Sequence, residues 1–327
     1  MGGAGSVAMN ILVIGATGAQ GGAVARRLVD SGHTVRGLTR SGAGLPPGVT
    51  PVTGDLADAS AVRAAFDGVT HACVVLPMVF EPSVVETYIR NIAEAAVAVG
   101  VRRLVYNTAN RMPSVPTSVA AFETRRFATS VLVESGVETV VVRPPVYLDN
   151  LCAPWVAGPL AHEGVLRYPL PADLPVSWLS HADLATATIA ALTRSTADLA
   201  VAPPTTAAVA APLSPDGLVG ALTPEGLALD LGGGRGGDGL RARRRLLRHP
   251  RPPDPVRRPG PRRVRGRPDP RPRRHHRRGG RLDVPLDRRA RPRPVRPRPG
   301  ALEKALAISL TPLSAWIAAQ PWTELAR

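Results

Sequence analysis

Gly15-Ala16-Thr17-Gly18-Ala19-Gln20-Gly21 follows the β-branched run Asn10-Ile11-Leu12-Val13-Ile14 and precedes a stretch of helical spacing, and it is the sharpest chemical signal in the chain. A first glycine permits a tight turn, a second lets the backbone approach a pyrophosphate, and a third lets helix pack closely on strand. The free N–H groups of the helix start then attract the anion. Gly15, Thr17, Gly18, Ala19, Gln20 and Gly21 are therefore expected to hold the phosphates of a dinucleotide. A second β-branched run ends in Thr39-Arg40-Ser41, at the place where an acidic residue would accept from the ribose hydroxyls. A guanidinium instead pairs bidentately with a 2′-phosphate, with Thr39 and Ser41 as further donors, so NADP(H) is expected in preference to NAD(H). Asp55, in Gly54-Asp55-Leu56, is placed either to accept from the adenine amino group or to cap a turn.

These residues need elements to position them. From residue 10 to 192 short β-branched runs alternate with longer alanine-rich stretches, the pattern of a parallel sheet with crossover helices. Strands are expected at 11–15, 34–39, 49–53, 72–76, 103–107 and 139–143, with helices at 20–31, 59–66, 84–99, 119–135 and 181–192. Pro51 removes a ladder donor and sends its strand to the sheet edge. Gly32, Gly100 and Gly136 are expected to close three helices. The fold class is therefore α/β, a doubly wound parallel sheet whose ligands bind outside the carboxyl ends of the strands. That rule brings the segment of Leu76, Pro77 and Phe80 after the fourth strand beneath a nicotinamide ring, where Phe80 either presents an apolar wall to substrate or simply packs in the core, and puts Tyr147 and Asn150 after the sixth strand in a substrate pocket. Thr108, after the fifth strand, could orient a carbonyl oxygen or simply cap the strand end. His181 is the one titratable candidate for proton delivery, and Asp183 is expected to cap or pair structurally.

Gly15 to Gly21, Arg40, Gly54-Asp55-Leu56, Gly100-Val101-Arg102-Arg103-Leu104-Val105-Tyr106, the run Arg143-Pro144-Pro145-Val146-Tyr147-Leu148-Asp149-Asn150, and Ser180-His181-Ala182-Asp183 together resemble the NmrA-like family of atypical short-chain dehydrogenase/reductases. The resemblance covers residues 10–200. It implies a Rossmann domain that binds NADP(H), a small C-terminal substrate domain, and one of two activities. One is reduction of a quinone-like or other small carbonyl compound; the other is redox sensing, in which nucleotide is bound without turnover and the protein docks on a regulator.

Short-chain reductases use a tyrosine as proton donor and a lysine four residues later that lowers its pKa. No Tyr-x-x-x-Lys occurs, and Lys304 is the only lysine. The relevant helix reads Ala121-Phe122-Glu123-Thr124-Arg125-Arg126, which puts Arg125 at the lysine's place and Ala121 at the tyrosine's. Arg125 could hold ribose or pyrophosphate, or pair at the surface with Glu123 or Glu134, but it is no proton donor near neutral pH. A quinone takes hydride directly and its oxygen takes a proton from solvent, so the absent tyrosine is compatible with quinone reduction and far less so with ketone reduction.

Charge and composition bound the rest. The chain has 327 residues and a formal net charge of +16, yet residues 235–300 hold 25 Arg and 5 Asp, which leaves the remainder at −4. No apolar run is long enough to cross a membrane. Cys73 and Cys152 have no metal-ligand spacing, read as small buried hydrophobes, and suggest a reducing, cytoplasmic setting; no metal site is expected. Residues 1–8 read as a lead-in, 9–155 as the nucleotide-binding domain, 156–223 as a partial substrate domain, and 304–327 as a C-terminal helical region. Every one of residues 224–303 comes from Leu, Pro, His, Gln, Arg, Val, Ala, Asp, Glu and Gly, types whose codons can begin with G or C. A frame slip in a GC-rich gene yields that alphabet, and 235–300 should form no packed core. The rival reading is a nucleic-acid-binding tail, against which stands the absence of any aromatic residue from 235 to 300.

Overall fold

The computed structural model describes residues 8–113, 115–163, 165–170, 175–199, 220–223, 226–230, 237–238 and 306–325. Strand and helix alternate as β1 (Asn10–Ile14), α1 (Ala19–Asp30), β2 (Thr34–Thr39), β3 (Thr50–Thr53), α2 (Ala59–Phe66), β4 (His71–Val75), α3 (Pro82–Ala98), β5 (Arg103–Asn107), α4 (Ala120–Glu134) and β6 (Thr139–Arg143). A set of shorter elements follows: β7 (Val146–Tyr147), a 3-10 turn (Leu148–Cys152), α5 (Pro154–Glu163), β8 (Pro175–Val176), β9 (Trp178–Leu179), α6 (His181–Thr193) and α7 (Thr196–Leu199). Then come β10 (Gly220–Thr223), β11 (Gly226–Asp230), β12 (Gly237–Asp238), α8 (Leu313–Ala318) and α9 (Trp322–Leu325).

The main sheet runs β10-β11-β6-β5-β4-β1-β2-β3, with every neighbouring pair parallel except β10 and β11. The order reverses between β1 and β4, the switch point at which α/β sheets bind ligands. Alternate residues of each strand serve opposite faces. Ile11, Val13, Cys73, Val105, Val140 and Val142 pack with α1 and α6, while Leu12, Ile14, Val74, Leu104, Tyr106 and Val141 pack with α2, α3 and α4. A sheet buried on both faces reads in sequence as unbroken apolar runs, which is what these strands are. β3, with Pro51, is the edge strand, and Gly32, Gly100 and Gly136 take positive φ at 82°, 67° and 88° after their helices.

The restricted alphabet does not begin outside the sheet. Residues 226–230 form β11, in parallel register with β6 from Leu227 opposite Val140 to Asp230 opposite Arg143. The sequence Gly-Leu-Ala-Leu-Asp is apolar enough to extend the sheet beside a buried strand, whereas all the arginines from 241 to 298 lie outside the described residues, as do residues 1–7. The chain then returns. Leu306 and Leu310 join the core between α1 and α6, and the Asp183 carboxylate accepts from Thr311 N at 3.1 Å and Thr311 Oγ1 at 2.9 Å. Asp183 is thus a structural pairing residue, and Ser180 Oγ caps α6 by accepting from its backbone N–H. Among the described residues no helix is long and apolar enough to cross a membrane.

Candidate functional site

At the carboxyl end of β1 the chain must turn within a few residues into α1. Gly15 does so at φ 83°, and a Cβ there would stand 2.6 Å from Val75 O. A Cβ at Gly21 would stand 2.3 Å from Gly15 O, so only glycine lets α1 start this close to β1. Gly18 is the N-cap of α1 and supplies no side-chain cap. Its own Cβ position meets nothing nearer than Gly15 O at 3.4 Å, so the outer side of the turn is open backbone. With no intrahelical partners for the first N–H groups of α1, those of Ala19 and Gln20 among them, the turn fits a pyrophosphate.

The segment after β2 folds down beside this turn. Gly44 lies close enough that its Cβ would sit 3.6 Å from Thr17 Cγ2, and Leu45 fills the space that Gly37 leaves on β2. Arg40 is exposed at the end of β2 with no ion-pair partner among the described residues. The two hydroxyls beside it differ from expectation. Thr39 is buried and donates to Ala43 O at 3.3 Å, because the turn needs that carbonyl satisfied, so it offers no donor to a phosphate. Ser41 Oγ accepts from Ala43 N at 3.4 Å and keeps its own proton. Asp55 Oδ1 accepts from Ala57 N at 2.8 Å, a turn role that leaves its second oxygen available.

At the other end of the cleft, Leu76 is buried in the core and Pro77 begins the loop to α3. Arg125 does not pair at the surface; Glu123 turns to Arg126 at 3.2 Å instead. Arg125 is 3% exposed, its Nη2 donates to Pro77 O at 2.9 Å, and its guanidinium lies 5.4 Å from the centre of the Phe80 ring. Its Nη1 is buried without a partner, and burial lowers its pKa against the helpful field of Tyr106. A shielded donor with no acceptor, beside the loop expected under the nicotinamide, fits a ribose hydroxyl or phosphate oxygen. Thr108 is 1% exposed and gives its hydroxyl proton to Asn110 O at 2.5 Å, so it closes the end of β5 and is not free to orient a carbonyl.

A connected set of polar groups links the glycine turn to the start of the small domain. Gln20 Oε1 accepts from Asn107 Nδ2 and from Tyr147 Oη, both at 2.9 Å. Burial pushes the Tyr147 phenol well above its usual pKa, which fixes it as a neutral donor to Gln20. His181 packs its ring 4.7 Å from that of Tyr147, donates its backbone N–H to Asp149 Oδ2 at 2.8 Å, and holds Nδ1 3.4 Å from Asp149 Oδ1. Burial and Arg26 lower the His181 pKa while Asp149 raises it, and burial leads. Asn150 Nδ2 donates to Tyr168 Oη at 3.1 Å. Gln20, Tyr147 and His181 are thus brought together, joined by Asn107 and Asp149, while Asn150 points the contact toward Tyr168. Sequence reasoning missed Asn107, the last residue of β5, and Trp155 and Tyr168, which stack at 5.7 Å beyond the 3-10 turn. The signal available for Trp155 was a large aromatic in the polar-to-helix junction right after Asn150.

The cysteines carry no chemistry here. Cys73 is buried and its thiol is pushed up to about 12. Cys152 is only half-buried, contrary to expectation, because the 3-10 turn brings its Sγ to the surface layer beside Gln320 Oε1 at 3.5 Å. Among the described residues no group of three His, Cys, Asp or Glu side chains could hold a metal ion.

The geometry of turn, switch point and loops is that of a nicotinamide-nucleotide cleft, and the sequence profile of the NmrA-like family matches residues 8–207. The chain belongs to the NmrA-like family. This NmrA-like chain is 36% identical over 188 residues to a (4-alkanoyl-5-oxo-2,5-dihydrofuran-3-yl)methyl phosphate reductase of Streptomyces griseus subsp. griseus, covering 56% of this chain and 63% of that protein. It is 30% identical over 189 residues to an NAD(P)H azoreductase of Xenophilus azovorans, again covering 56% of this chain and 63% of the relative. The match therefore spans less than two thirds of the length of these curated relatives. Among solved structures, the Bordetella bronchiseptica enzyme WbmG in complex with NAD superposes with a TM-score of 0.55 at 19% identity, over 78% of this chain and 83% of that one. A nucleoside-diphosphate-sugar epimerase of Staphylococcus aureus does so with a TM-score of 0.52 at 19% identity, over 73% and 76%. At these identities the likeness is one of fold.

Proposed function

We propose that this NmrA-like protein is an NADPH-dependent reductase that passes hydride to a quinone-like or small carbonyl acceptor. The observation that carries the reading is the convergence, at one sheet edge, of the open glycine turn with loops whose tips are apolar. Met78 is 88% exposed and Phe80 38% after β4, Val115 64% and Val119 37% after β5, and Trp155 56% after β6. Exposed large apolar side chains grouped around a nucleotide cleft suit an apolar acceptor. The two curated relatives described above are named reductases, which supports the same reaction class.

Gly15, Thr17, Gly18, Ala19, Gln20 and Gly21 bind the pyrophosphate through the turn and the start of α1. Arg40 pairs with the 2′-phosphate, Asp55 accepts from adenine, and Leu76 and Pro77 line the path to the nicotinamide. NADPH, when bound, supplies the hydride. Arg125 keeps the loop 77–80 in place through Pro77 O and the Phe80 face, and its free Nη1 steadies the nicotinamide ribose. Phe80, Tyr147 and Asn150 shape the acceptor pocket. With Ala121 in place of a tyrosine and Tyr147 committed to Gln20, the proton that accompanies hydride comes from solvent or through His181, which solvent still reaches. Two-electron reduction of a quinone then balances as one hydride and one proton, giving the neutral hydroquinone.

NADPH oxidation in the presence of a panel of quinones and small carbonyl compounds tests the reading. Turnover with quinones and little with simple ketones is the expected outcome; tight NADPH binding with no turnover on any acceptor overturns it. That second result would establish the redox-sensor reading, which the missing proton donor favours. Nucleic-acid binding through the arginine-rich run concerns residues outside the described ones.

A further inference from the structure

All four tryptophans of the chain, Trp155, Trp178, Trp316 and Trp322, lie in the small layer that follows β6. Trp316 and Trp322 close its core edge to face, but Trp155 stands apart: it is 56% exposed and stacks one face on Tyr168 at 5.7 Å and 29°. Tyr168 is itself held on two sides. Asn150 donates to its hydroxyl at 3.1 Å, and Trp178 meets its ring nearly edge-on at 5.4 Å and 67°. The Nε1 of Trp178 is buried and has no acceptor, so the cluster contains an unused donor. Asn150, Trp155, Tyr168 and Trp178 include no carboxylate, ammonium, guanidinium or imidazole.

We propose that Trp155, backed by Tyr168, is a stacking platform for the remote ring of a planar, uncharged, multi-ring aromatic acceptor. An indole whose plane is already fixed by a ring behind it presents a large apolar face at little further cost in order. The platform adjoins the cleft: Asn150, which positions Tyr168, follows Tyr147, and Tyr147 reaches back to Gln20 in the first turn of α1. A single-ring acceptor would fill only the nicotinamide end, whereas a fused second ring would extend over Trp155. The inference rests on the reductase reading for its substrate but not for its binding site.

The test uses the full chain and two readouts. In the first, 1-naphthol, which cannot accept hydride, is titrated calorimetrically into the NADP-loaded protein and into its Trp155→Ala and Trp155→Phe variants. Binding should weaken about tenfold in Trp155→Ala and stay within about threefold in Trp155→Phe. In the second, KM for menadione should rise by a similar factor in Trp155→Ala while KM for p-benzoquinone and the affinity for NADPH stay unchanged. Equal 1-naphthol affinity in wild type and Trp155→Ala, or a loss of NADPH affinity that accompanies it, overturns the platform. Trp155-dependent naphthol binding with no quinone turnover sustains the platform and overturns the reductase reading instead.

Discussion

On the proposed reading, Arg40 is the residue on which nucleotide choice would turn. It stands exposed at the end of β2 without an ion-pair partner among the described residues, beside the segment that folds against Thr17, and the neighbouring Thr39 hydroxyl is already spent. Under that proposal the guanidinium would supply most of the recognition of a 2′-phosphate, and charge-assisted pairs of this kind contribute about 1.5–3 kcal/mol. Arg40→Asp is expected to weaken NADPH binding by about tenfold or more and leave NADH binding nearly intact, measured by parallel titrations; unchanged preference would remove the assignment. The histidines give a second expectation at this scale. His33, His71 and His181 are all pulled below their ordinary value of 6.5 by burial. Each binds its proton more readily when unfolded, so stability is complete above pH 6.5 and falls as pH drops through the folded values. Urea midpoints should decline as pH falls below about 6.5, and His181→Gln should flatten part of that decline.

At the scale of elements, the junction of β1 and α1 has the least room for change. A Cβ at Gly21 meets the Gly15 carbonyl at 2.3 Å, and backbone cannot step aside as a flexible side chain would. Gly21→Ala is expected to cost several kcal/mol, within the range seen for overpacked sites, and to lower Tm together with NADPH affinity. A calorimetric melt with near-native Tm would contradict this. Strands β1 to β6, the glycine turn, and helices α1 to α4 and α6 were legible in the sequence because each rests on local signals: apolar runs for strands buried on both faces, Pro51 for the edge, glycines for helix ends; the short elements β7 to β12, α5 and α7 carry no such signal. The site was legible where it depends on such backbone signals, and much less where it depends on side chains meeting across the chain. In the sequence Arg125 was open both to a ribose or pyrophosphate contact and to a surface pair with Glu123 or Glu134, because its helix carries charges on both sides of it. Its burial comes from the loop 77–80, 45 or more residues earlier, settling over it. Asn107 and Tyr147 meet at Gln20 across 87 and 127 residues, and no spacing rule announces such a meeting.

For the whole molecule, the decisive contact is the return of the C-terminal segment. Leu306, Leu310, Trp316 and Ile317 are all buried, and Thr311 donates twice to the buried Asp183 carboxylate. Asp183→Ala leaves the Thr311 hydroxyl and N–H without that acceptor and is expected to destabilise by about 1–3 kcal/mol, with protease first cutting the released segment. A digest indistinguishable from wild type would show that the return contributes little. Resequencing the codons for residues 200–304 is the matching test of the restricted alphabet. Inserted or missing bases are expected, with aromatic, serine and threonine residues restored in the corrected frame; a confirmed frame would make nucleic acid the next partner to test by salt-dependent binding.

The same return sets a rule for what lies between. Once Leu306 and Leu310 are seated beside α1 and α6, the covalent chain from 238 to 306 has to join two points held by described residues. The entropy of closing a tether grows only with the logarithm of its length, about 0.6 kcal/mol for each doubling. The core can therefore accept many different sequences and lengths in that stretch with little change in its own stability, so the stretch can be rewritten, by mutation or by a shifted frame, while the nucleotide-binding half is left standing.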